Sequence, residues 1–188
     1  LIGNMADVLY TDGLATGLTL VIFGIILGGG IGATMAKRVE MTKMPELVAF
    51  MHSMVGLAAV FIAIAAVLVP HALNITAKGT EIPVGNRLEL FLGAAIGAIT
   101  FSGSVIAFGK LSGQYKFRLF QGAPIVFSGQ HLINLFVGIA ILILGLIFTL
   151  TGNWLAFFLL LVLAFVVGVL IIIPIGGADM PVVVSMLN

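Results

Sequence analysis

His52, Ser104 and Asn188 are polar residues set in strongly apolar stretches of the chain. Imidazole is the one side-chain type that ordinarily titrates near neutral pH, so a histidine at membrane depth can take up and release a proton under working conditions. A hydroxyl and a carboxamide both donate and accept hydrogen bonds, so they can hold such a ring in either charge state. Together the three types fit a proton or ion pathway. They could also serve only to bond helix to helix, and Ser104 or Asn188 taken singly could bond its own backbone. Spacing favours the pathway. His52 lies seven residues beyond Pro45, Asn188 seven beyond Pro181, and Ser104 six before Lys110. At a helical rise of about 1.5 Å per residue, the first two sit about 10 Å and the third about 9 Å from a helix end. His52, Gly56, Ala59 and Ala63 follow the i, i+4, i+7, i+11 pattern. The histidine therefore belongs to a small-residue face and should point toward other helices.

Shared depth matters only if the surrounding segments cross a bilayer, and the composition requires it. Of 188 residues, 61% are hydrophobic and 8% charged, against roughly a quarter charged in soluble domains. The predicted fold is all-α, a polytopic transmembrane helix bundle forming one domain over residues 1–188. A membrane helix needs about 20 apolar residues. Runs free of Asp, Glu, Lys and Arg cover Leu14–Ala36, Leu47–Val69, Leu90–Gly109 and Leu132–Ile175. The last is twice too long and divides at Thr151-Gly152-Asn153, ahead of interfacial Trp154, giving helices over 132–150 and 154–175. A sixth helix starts at Pro181, with Asp179 placed to cap it. The chain opens on Leu1 without a basic, cleavable leader and stops soon after Pro181, so it reads as an internal segment that cuts the sixth helix short.

Basic residues orient the bundle. Lys37, Arg38, Lys43, Lys110, Lys116 and Arg118 fall on one side and Lys78 and Arg87 on the other, so the richer side should be cytoplasmic and the N-terminus outside. Eight basic against seven acidic residues cannot build the positive field that nucleic-acid binding requires. The absence of cysteine excludes disulfides, thiolate metal sites and thiol nucleophiles. Gly24, Gly28 and Gly32 on the first helix, and Gly93 and Gly97 on the third, form small-residue stripes that predict core helices. The fifth helix, rich in Leu, Phe and Val, is predicted to face lipid and insulate. Gly28, Gly30 and Ala33 match a dinucleotide fingerprint only in spacing, because that motif needs a strand-to-helix turn and these lie inside an apolar span. His71 and His131 fall at interfaces and read as solvated. Lys37, Arg38, Glu40, Lys43 and Glu46 form a charged loop, either a topology signal or a docking surface.

The run from Arg38 to Ala49 (RVEMTKMPELVA), the run His52–Val60 (HSMVGLAAV), Gly103–Leu111 (GSVIAFGKL) and Gly176–Asn188 (GGADMPVVVSMLN) together resemble the β subunit of proton-translocating NAD(P) transhydrogenase. The likeness spans nearly the whole chain, with 114–168 adding little. It implies that His52, Ser104 and Asn188 match the family's proton-pathway residues. It also implies that Asp179, with Glu46 and Arg38 of the charged loop, serves domain coupling. It further implies a coupling of proton movement to hydride transfer between NAD(H) and NADP(H), carried out in soluble domains. On this reading the segment has no hydride-transfer site and binds no cofactor or metal itself. Expected partners are the bilayer, the remaining helices and NADP(H)-binding domain of the same subunit, an NAD(H)-binding α subunit, and a second copy in a homodimer. The expected location is a bacterial or mitochondrial inner membrane. The residues alone leave two alternatives: a secondary transporter or ion channel with a pH-sensing histidine, and a purely structural membrane subunit.

Overall fold

The computed structural model describes residues 12–70, 75–76, 81–113 and 121–182, with side chains from residue 17. Among the described residues every regular element is helical: α1 Asp12–Arg38, a 3₁₀ turn Met41–Lys43, α2 Met44–Leu68, α3 Val84–Ser112, α4 Gln130–Thr151 and α5 Trp154–Ile172. All five α-helices are long and apolar enough to cross a membrane, as their hydrophobic length predicts. The chain is a multi-pass membrane protein. The backbone turns helical again at 180–182, where the sixth helix is expected.

The chain forms two compact units, Leu1–Met44 and Pro45–Asn188. In the first, the Gly24, Gly28 and Gly32 stripe runs along an open face of α1. In the second, the core joins Phe91, Ala94 and Ala98 of α3, Phe148 of α4, and Phe157, Leu160 and Ala164 of α5. The expectation that the fifth helix merely insulates is therefore corrected. Ala156, Leu160, Ala164 and Gly168 of α5 are all buried, and their four-residue spacing forms a face that packs on α3 and α4. The abundant Leu and Phe on its other faces hide this narrow seam in the composition.

Thr151-Gly152-Asn153 forms the expected turn. Gly152 adopts φ +69° to end α4, where a side chain would be strained. The Asn153 side chain accepts the Leu155 amide at 2.9 Å and caps α5. Pro174, just past Ile172, stops α5 three residues short of the predicted 175. At the other boundary, α3 begins at Val84, six residues before the predicted Leu90, because Arg87 and Glu89 lie inside the helix and break a charge-free search. Arg87 is buried, donates to Glu81 at 2.8 Å, and packs its guanidinium over Gly152. Glu81 itself is exposed. Glu81→Gln should thus change stability by less than about 0.5 kcal/mol. Arg87→Ala should cost about 2 kcal/mol, because it empties the seat over the α4 terminus. Thermal unfolding of both variants in detergent checks this contrast.

Candidate functional site

α2 begins at Met44-Pro45 with Glu46 in its first turn, an order suited to a helix start because proline lacks the amide that would be unpaired there and the acid faces the positive helix end. His52 follows two turns later, half-buried. Its Nδ1 lies 2.9 Å from the Val48 carbonyl oxygen. A carbonyl can only accept, so Nδ1 carries a proton and donates it, leaving Nε2 as the nitrogen that can gain or lose one.

Two glycine crossings bring neighbouring helices against α3. A Cβ on Gly56 of α2 would fall 2.6 Å from the Phe101 nitrogen and 2.8 Å from the Gly97 oxygen. A Cβ on Gly168 of α5 would fall 2.5 Å from the Ile99 oxygen. Backbone thus meets backbone at both points, the close approach that small residues permit. The larger side chains beside these crossings keep the helices from closing completely, and a cavity of about 120 Å³ remains. It is lined by His52 of α2, Thr100 and Ser104 of α3, and Gly168, Ile171 and Ile172 of α5. One water needs roughly 10–15 Å³ together with two to four polar partners. The cavity therefore has the volume for several waters; its lining is mostly apolar, and His52, Thr100 and Ser104 bring its polar groups.

The structure thus brings His52 and Ser104 together, as their matched depths imply. Asn188 lies outside the described residues, as does His71. Thr100 is a site residue that sequence reading missed. The available signal was its place one turn before Ser104, which puts both hydroxyls on one face of α3. Of the residues expected to couple domains, Arg38 ends α1 in the first unit, Glu46 sits in the first turn of α2, and Asp179 is exposed in the turn before 180–182. Neither Glu46 nor Asp179 reaches the cavity. His131 is exposed, as expected of an interfacial histidine.

Two further polar residues close the end of α5. The last carbonyls of a helix have no partner within it. Gln130 Nε2 of α4 donates to Leu170 O at 3.0 Å, and Lys110 Nζ of α3 donates to the carbonyls of Ile173 and Ile175 at 2.5 and 2.7 Å. Sequence reading treated Lys110 only as a topology signal.

The chain is similar to the family described as NAD(P) transhydrogenase beta subunit over residues 1–188. It is 51% identical over 168 residues to NAD(P) transhydrogenase subunit beta of Rhodospirillum rubrum, and equally so to the counterpart from a designated strain of that species. In each case the match covers 89% of this chain and 35% of the relative. The chain therefore spans about a third of the length of the curated relatives it matches.

Proposed function

We propose, on the premise that this chain belongs to the NAD(P) transhydrogenase beta-subunit family, that it forms the part of the membrane domain through which protons move when hydride passes between NAD(H) and NADP(H). The observation that carries this reading is the cavity lined in common by His52, Ser104 and Thr100. His52 takes a proton at Nε2 from water in that cavity and returns it to water, with the two hydroxyls and Asn188 arranging the hydrogen bonds. Charging a half-buried imidazole is unfavourable unless polar groups or water compensate, and water in the cavity would supply that compensation. Access alternates between the two sides of the membrane, and the redox state of NADP(H) selects which side is open.

The one stretch with a dinucleotide-like spacing does not fit a nicotinamide nucleotide. Gly28, Gly30 and Ala33 lie in mid-helix in α1, where backbone amides are already bonded along the helix and cannot cradle a pyrophosphate. Hydride transfer accordingly belongs to soluble domains of the complete subunit and of an NAD(H)-binding α subunit, in a homodimeric assembly at a bacterial or mitochondrial inner membrane. Asp179, Glu46 and Arg38 supply the membrane-side contacts to the NADP(H) domain. Proton movement is energetically sufficient to bias such an exchange. One charge crossing 100 mV contributes about 2.3 kcal/mol, roughly fifty-fold in an equilibrium between two similar nicotinamide couples.

The test is proton flux in vesicles holding the complete assembly. Flux should rise when NADPH and an NAD⁺ acceptor are supplied together, and should track hydride transfer. A flux indifferent to nucleotide would overturn the reading in favour of a channel.

A further inference from the structure

Lys110 is 3% exposed, and among the described residues its ammonium is held by main-chain oxygens alone. Nζ lies 2.5 Å from Ile173 O, 2.7 Å from Ile175 O and 3.4 Å from Ile172 O. Among the described residues the single ion pair joins Arg87 to Glu81, so the charge on Lys110 is balanced by carbonyl dipoles at the negative end of α5. Three donors meeting three such acceptors suits an ammonium. A buried charge satisfied in this way resists displacement, because removing it leaves several polar atoms unpaired at once.

The position of this seat gives it a second consequence. Ile172, one of the three acceptors, also lines the cavity that His52 lines. Ala107, one turn before Lys110, lines the same cavity. Beyond the seat, Ile173 O also accepts the Ile125 amide at 3.1 Å, and the Gly177 amide donates to Gly122 O at 2.8 Å. That paired loop leads directly to Asp179 and the helical turn at 180–182. One ammonium therefore ties the cavity wall and the loop before Asp179 to a single point on α3.

We propose that Lys110 is a positioning residue: by clamping the C-terminal end of α5 it sets the wall of the His52 cavity and transmits displacements of the 173–179 loop to it. The transmission half of this inference rests on the proton-pathway reading, whereas the clamp does not.

The experiment uses the complete transhydrogenase in vesicles and compares Lys110→Met, Lys110→Arg, Lys110→Ala with and without added methylammonium, and His52→Ala. It measures amide hydrogen exchange over 173–177 and the number of protons moved per hydride. Lys110→Met should speed exchange at least tenfold and lower the proton-to-hydride ratio to less than half. Lys110→Arg should keep both near wild type, and methylammonium should restore both in the alanine variant. Unchanged exchange in the methionine variant overturns the clamp. Faster exchange with an intact ratio overturns the transmission if His52→Ala lowers that ratio. If His52→Ala also leaves the ratio intact, the pathway reading has failed, and Lys110 is judged on exchange and amine rescue alone, where failure of either overturns it. Should the methionine variant not assemble, the arginine variant decides, since loss of either property there refutes a role for the positive charge.

Discussion

His52→Ala is expected to lower proton translocation by the complete assembly at least a hundredfold, with the protein still folded and inserted. The size follows from general acid–base chemistry, in which a positioned proton-transfer group contributes about 10²–10⁴-fold. Folding should survive because the ring bonds to Val48 of its own helix, and a ring already bordering a cavity gives up little packing when trimmed. Vesicle acidification read alongside hydride transfer separates the two effects. A His52→Ala assembly that still moves the normal number of protons per hydride defeats the proton-pathway reading.

A second large effect is expected at Gly168. Its missing side chain lets α5 approach the Ile99 backbone and the Ser102 hydroxyl, and any Cβ there lands 2.5 Å from the Ile99 oxygen. Since the obstacle is main chain, it cannot swing aside. Overpacking of this kind costs about 3 kcal/mol, roughly a hundred-fold or more in the folding equilibrium. Gly168→Leu should therefore lower the unfolding temperature of the purified assembly sharply, and also fill part of the His52 cavity. Gly93, one stripe position on α3 with open space around it, provides the control. Gly93→Ala should be neutral or stabilise by up to about 1 kcal/mol through helix propensity. Equal behaviour at the two glycines would mean that α3 and α5 do not cross as closely as described.

The contrast between those glycines marks the limit of what composition reveals. Both belong to apolar helices and both are small, yet only three-dimensional neighbours distinguish the one against backbone from the one facing open space. Helix existence was legible because a bilayer imposes a minimum apolar length, a constraint any single segment carries by itself. That His52 and Ser104 line one cavity was legible for a similar reason, since depth follows from counting along each helix separately. Burial of α5 was not, because its Ala156, Ala164 and Gly168 seam is narrow beside a much larger apolar surface. The start of α3 was missed because Arg87 and Glu89 lie inside the helix, where a search for charge-free runs stops. The bonds of Lys110 were not legible because its acceptors are carbonyls more than sixty positions away, which no residue type announces. Thr100 could have been found, as its spacing from Ser104 is written in the chain.

The bond from His52 Nδ1 to Val48 has a bearing on direction. On the proton-pathway reading, an imidazole whose Nδ1 is engaged in that bond offers a single docking point, at which a transported ion both arrives and departs. A ring free at both nitrogens could act as a short wire, loaded on one edge and emptied from the other. While that bond holds the shortcut is closed, and on the same reading the vectorial character of transport originates in the surrounding helices, through which the solvent touching Nε2 would be continuous with one compartment or with the other.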